Sequence, residues 1–173
     1  MSIDSLPEGY PRCSGCGVVF QSDAEITGHE CPETVYIASS FNLKERVQRV
    51  YDALTDAGYG VPDVWWDESR EQADLKTIDE PDHYWYQLNV VQRRAERHWR
   101  NIEEADVFVI VAPEEGTKKF NGANIELGYA IASGCACYSV GRLERSAMYE
   151  PVVQTDVVDE LLRELGPPDV VVR

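Results

Sequence analysis

The sequence predicts a three-layer α/β domain built on a parallel sheet, with a small N-terminal appendage. Three observations lead there. From residue 35 onward, strand-like and helix-like periodicities alternate, the pattern of a sheet covered by helices on both faces. The run "DVFVIVA" (106–112) is continuously apolar, as a strand buried on both faces must be. Residues 1–33 differ in texture, being rich in turn residues and holding three of the five cysteines. At 173 residues the chain has room for one domain with a full core and a small module beside it.

The elements follow in order. "VYIASSF" (35–41) reads as a buried strand that runs out into two serines. "NLKERVQRVYDALTDAGY" (42–59) places Val47, Val50, Tyr51 and Leu54 on one helical face, with Gly58 closing it. "VPDVWW" (61–66) is a second strand, and the polar stretch 67–81 is a loop long enough to suggest function. A long helix is expected over 82–105, with Leu88, Val91, Ala95, Trp99 and Ile102 at helical spacing. The central strand comes next, then the loop "PEEGTKKFNG", a helix from about Ala123 to Ser133, and the strand "CACYSVG" (135–141). "DVVDELLREL" (156–165) is a last amphipathic helix before Gly166 and two prolines.

Charge narrows the partners. Asp and Glu number 31 against 16 Lys and Arg, a formal net charge of -15. Such a field repels phosphate backbones, so general nucleic-acid binding is not expected. Acids spread along the whole chain suggest a halophilic proteome, where salt screens the self-repulsion. No run approaches the roughly 18 apolar residues of a membrane span, and the first residues lack the basic start and apolar run of a signal peptide. A cytoplasmic location without membrane attachment is the expectation.

Five cysteines in that setting favour metal ligation or buried thiols over a disulfide framework. Cys13, Cys16, His29 and Cys31 fall as C-x2-C-x12-H-x-C, a spacing that can close a tetrahedral zinc site. A filled site of four ligands leaves no open position, so the zinc would be structural. Residues 1–33 thus read as a zinc-finger-like module, and 34–173 as the α/β domain. Cys135 and Cys137 alternate on a buried strand and read as inert core residues.

In an open parallel sheet, ligands sit beyond the carboxyl ends of the strands. Those ends carry Ser39, Ser40 and Asn42, then Trp65, Trp66 and Asp67, then the 113–122 loop. Glu126 is expected in the first turn of the helix leaving the same edge, where the helix dipole favours an ionised carboxylate. Such a carboxylate is what attack on an anomeric carbon requires. The small residues Gly122 and Ala123, with Asn124 beside them, leave room for a sugar to approach it. Trp65, Trp66 or Phe120 could stack on a base.

The run "ADVFVIVAPEEGTKKFNGANIELGYAIASGCACYSVG", together with "VYIASSF", resembles the nucleoside 2-deoxyribosyltransferase family and its nucleotide N-hydrolase relatives. The match covers roughly residues 35–165 in element order and implies a Rossmann-like (flavodoxin-like) sheet. It places the family's nucleophilic glutamate on Glu126 in "ELGYA" and its aspartate on Asp106, which would serve the leaving base. The first-strand tyrosine that hydrogen-bonds the nucleophile falls on Tyr36, and a phosphate- or sugar-contacting serine falls on Ser40. The chain departs from the pattern in two places. Some relatives carry an acid eight residues before the position of Asp106, where this chain has His98. "GCACY" replaces their Gly-Lys-Pro before the last core strand.

Two functions of different class are therefore expected. The first is cleavage or transfer of the N-glycosidic bond of a deoxynucleoside or deoxynucleotide through a glycosyl-enzyme on Glu126, with no catalytic cofactor. NAD would be a less expected substrate of the same chemistry. The second is a sensor domain binding a nucleotide or NAD derivative, with the zinc module as its partner contact. Family relatives complete each site from a neighbouring subunit, so a homodimer or larger even assembly is implied. Tyr84 and Trp85 on the 82–105 helix are candidates for that contact.

Overall fold

A computed structural model describes residue 13 and residues 31–66, 92, 95–113, 121–144 and 147–171. Its elements are β1 (Cys31–Pro32), β2 (Val35–Ala38), a 3-10 turn (Phe41–Leu43) and α1 (Lys44–Asp56). Then come α2 (residues 95–103), β3 (Val107–Val111), α3 (Asn121–Ser133) and β4 (Ala136–Val140). A 3-10 turn (Ala147–Tyr149), β5 (Val153–Thr155), α4 (Val158–Leu165) and β6 (Val170–Val171) complete the described chain.

The sheet has the order β2-β3-β4-β5 and every pairing in it is parallel. After α1 the chain returns along the free side of β2, where Gly60 bridges Thr34 in parallel. The spatial order is therefore second segment, first strand, third, fourth, fifth, the flavodoxin-like arrangement whose direction reverses between β2 and β3. The strand expected over 61–66 does not extend beyond that single bridge. Pro62 has no N–H to donate to a ladder, and Trp65 and Trp66 already lie in a turn.

Each strand divides two cores. Val35, Ile37, Val107, Val109 and Val111 face α1 and α4, while Tyr36, Ala38, Phe108 and Ile110 face α2 and α3. All five residues of β3 are buried, as its unbroken apolar run requires. α1 buries Val47, Val50, Tyr51 and Leu54, the expected stripe, and the chain leaves it through Gly58 at φ 97°. α3 buries Ala123, Leu127 and Ala130. Two of these three are alanine, so its backbone lies close to the sheet. Fully buried side chains such as Leu127 and Phe108 each stabilise the fold by about 1.5–3 kcal/mol.

At the other end, β1 pairs antiparallel with β6, Cys31 opposite Val171 and Pro32 opposite Val170. No helix among the described residues is long and apolar enough to cross a membrane. The 67–81 loop, Phe120 and the 82–91 part of the long helix, with Tyr84 and Trp85, lie outside the described residues.

Candidate active site

Tyr36 is the second residue of β2, and the alternation of the strand points its ring toward α3. The ring stacks on Phe108 of the neighbouring strand at 5.6 Å and is 2% exposed. Its hydroxyl emerges between two helices. It donates to Glu126 Oε1 at 3.2 Å and lies 2.7 Å from His98 Nδ1.

Glu126 is the sixth residue of α3, in its second turn, because the helix begins at Asn121 rather than near Ala123. The expected placement in the first turn is thereby corrected, and with it the expectation that the helix end keeps the carboxylate ionised. Burial acts in the opposite sense. It pushes the Glu126 carboxyl up to about 7, opposed by the Tyr36 hydrogen bond and reinforced by the negative charge of Asp63. Burial, followed by the charges of Glu126 and Asp63, also drives the Tyr36 phenol far above its ordinary value. Tyr36 is thus a neutral donor at any working pH.

Behind Tyr36 the chain of polar contacts continues. His98, on α2, meets the Tyr36 ring edge-on with centroids 6.2 Å apart. Asp63 is only 8% exposed, and its Oδ2 lies 3.5 Å from His98 Nδ1 while accepting from Asn101 Nδ2 at 2.8 Å. Glu126, Tyr36, His98 and Asp63 come from four separate segments, so only the folded sheet assembles them. Asp63 and Asn101 were not singled out from sequence, and His98 was noted only as a departure. A signal existed: an acid inside the apolar run "VPDVWW" must find a polar partner once buried.

Asp106 is elsewhere. At the amino end of β3, its Oδ2 accepts the backbone N–H of Thr34 at 2.8 Å and the Thr34 hydroxyl at 2.9 Å. The turn into β3 is thereby tied to the start of β2, at the amino end of the sheet. Trp66 is also corrected. It packs in the α1-side core at 5% exposure, against Tyr51, with its indole N–H on Gln48 Oε1 at 2.7 Å. That is the opposite face of the sheet from Glu126.

The remaining expected positions do lie at carboxyl ends or on α3. Ser39 Oγ donates to the Val111 carbonyl at 2.8 Å, linking the ends of β2 and β3 at the reversal point. Ser40 is half-buried and accepts the Leu43 N–H through its carbonyl, and Asn42 is exposed on the following turn. Gly122 faces open space, and Asn124 Oδ1 accepts the Tyr149 hydroxyl at 3.0 Å. Arg46 of α1 reaches the same edge, donating to the Ala112 carbonyl at 3.0 Å. A cleft of about 830 Å³ opens past β4 and β5, but Glu144, Glu150, Asp156 and Glu160 line it against a single cation, Arg142, which is paired with Asp156. That acidic wall disfavours an anionic nucleotide there.

The Cys13 and Cys31 sulfurs lie 3.5 Å apart, in hydrogen-bond contact and not joined as a disulfide. Cys16 and His29 lie outside the described residues. Cys137 is 4% exposed with its thiol pushed up to about 12 by burial, and burial also raises Cys135. Both fit unreactive core thiols.

No family model matches the sequence, and no curated protein matches it either. Among solved structures, the chain is similar to the CMP N-glycosidase BcmB of Clostridium botulinum, at 17% identity. The alignment covers 77% of this chain and 98% of that one, with a TM-score of 0.46.

Proposed function

We propose that this protein cleaves or transfers the N-glycosidic bond of a nucleoside or nucleotide, with Glu126 as nucleophile. The observation that carries the reading is the Tyr36–Glu126 contact. It sets a half-buried carboxylate in a fixed orientation, with burial as the largest influence on its charge. A carboxylate in that state is a strong nucleophile when ionised and is ready to be neutralised by ester formation.

A Glu126 oxygen attacks C1′ of the sugar as the C1′–N bond breaks, and the electron pair leaves on the base, which takes a proton. Water or a second base then attacks C1′, and Glu126 departs as carboxylate. Ser40, Ser39 and Asn42, at the carboxyl edge, and Gly122 and Asn124 on α3 are the positions proposed to meet sugar and phosphate. The resemblance to deoxyribosyltransferases favours a deoxy sugar.

The test is incubation with nucleosides, their monophosphates and NAD, followed by chromatography for free or exchanged base. Wild type should release base from at least one member, and Glu126→Gln should do so orders of magnitude more slowly. Binding without turnover in both proteins would favour the sensor.

Two accompanying proposals concern assembly. The 3.5 Å separation of the Cys13 and Cys31 sulfurs is near the edge of a tetrahedron with Zn–S bonds of about 2.3 Å. It supports structural zinc on these two thiols, with Cys16 and His29 supplied by the sequence spacing. A second copy of the chain is proposed to close the active site. Ile125 supports this, being 62% exposed immediately before Glu126.

A further inference from the structure

Tyr36 has one hydroxyl proton and two neighbours able to receive it. Glu126 Oε1 is at 3.2 Å and His98 Nδ1 at 2.7 Å. If Nδ1 carries a lone pair, the shorter contact takes the proton, and Glu126 faces a phenol oxygen with nothing to donate. If Nδ1 carries hydrogen, His98 donates to the Tyr36 oxygen and the phenol proton is directed to Glu126. The tautomer of His98 therefore decides whether the carboxylate is held.

Among the described residues, Asp63 is the acid that bears on the tautomer. Its Oδ2 lies 3.5 Å from the same Nδ1, buried and anchored by Asn101. A lone pair on Nδ1 would face a buried carboxylate, whereas an N–H there is attracted to it. Asn101 and His98 stand three residues apart on α2, so one helix face both anchors the acid and presents the imidazole.

We propose that Asp63 and His98 form a positioning pair: Asp63 holds His98 with hydrogen on Nδ1, His98 donates to Tyr36, and Tyr36 donates to Glu126 Oε1. Oε2 is then the attacking atom. Neither Asp63 nor His98 touches the reacting carbon. The catalytic meaning of the pair rests on the glycosidic reading above, but the tautomer does not. Among the described residues, the charged and titratable groups around the contact are Glu126 on α3, Asp63 beyond Gly60, and His98 and Arg97 on α2, the last acting weakly on Tyr36.

Nitrogen-15 NMR of protein labelled in its three histidines, with His98→Gln to assign the signal, reads the tautomer directly. His98 should carry hydrogen on Nδ1 in wild type and on Nε2 in Asp63→Asn. Hydrogen on Nε2 in the wild type overturns the pair, whatever the protein's activity. The second arm is the pH dependence of kcat. The Tyr36 hydrogen bond weighs more on Glu126 than the charge of Asp63 does. Asp63→Asn, which loses both, should move the ionisation limb to higher pH and lower kcat about 10- to 100-fold with KM little changed. Asp63→Glu should recover most of the rate. A limb moved to lower pH would mean that Asp63 is merely a nearby charge, and the proposal fails. Should the wild type turn over no glycoside, the functional reading falls while the NMR arm still judges the pair.

Discussion

Tyr36 and Glu126 stand 90 residues apart in the chain and meet at 3.2 Å, phenol hydroxyl to carboxylate oxygen. The contact joins the first strand of the sheet to the helix after the central strand. It lies on the face of the sheet that α2 and α3 cover, where the Tyr36 ring stacks on Phe108.

Stability should respond to Glu126 with an unusual sign. Its carboxyl sits at about 7 in the folded chain against an ordinary 4.5, so the folded state binds that proton more tightly. The resulting stabilisation is complete below about 4.5 and is lost as pH rises through about 7. Glu126→Gln should therefore be more stable than wild type by about 1–3 kcal/mol at alkaline pH and equal to it under acid conditions. Urea midpoints at the two extremes check this. An equal midpoint at alkaline pH would mean that the carboxylate is well solvated.

Activity should rise with pH along the ionisation of Glu126, half-maximal near the value of about 7 that burial gives it. Tyr36→Phe removes the hydrogen bond that opposes this elevation, so the limb should move to higher pH. The same variant should lose about 1–3 kcal/mol of stability. A pH–rate profile that stays in place would separate Tyr36 from the carboxylate.

Purified protein should contain about one zinc per chain, and Cys13→Ser or Cys31→Ser should lower that content sharply. Elemental analysis after preparation without chelators decides it. Metal content unchanged in both variants would remove these thiols from any metal site.

Gly141 closes β4 at φ 93°, and a Cβ there would stand 2.9 Å from Arg46 Nη2 and 3.2 Å from Ala112 Cβ. Gly141→Ala should destabilise the fold by about 1–3 kcal/mol, measured as a fall in Tm. Arg46→Ala in the same background should recover part of the loss, since one of the crowded atoms is then gone.

The elements that could be read from sequence were those whose pattern and packing agree. Val47, Val50, Tyr51 and Leu54 repeat at helical spacing because one face of α1 meets one core. The unbroken run of β3 is apolar because both its faces are covered. Where local and tertiary demands diverge, the reading failed. "VPDVWW" has strand composition, yet Pro62 ends the ladder and the run serves instead to deliver Asp63 to His98. Trp66 follows a strand signal at the expected edge, but Gln48 of α1 holds its indole inside the other core. The resemblance singles out Asp106, whose bond to Thr34, 72 residues earlier, appears only in three dimensions. β1 and β6, two residues each, are too short to carry any periodicity.

The pairing of β1 with β6 has a consequence for how the chain is made. Cys31 and Pro32 leave the ribosome long before Val170 and Val171, and Glu33 likewise waits for its bond to the Asp169 carbonyl. Cys31 and Pro32 are therefore without their docking strand until β6 has been made, and the β1–β6 pair can form only after every strand of the parallel sheet has left the ribosome.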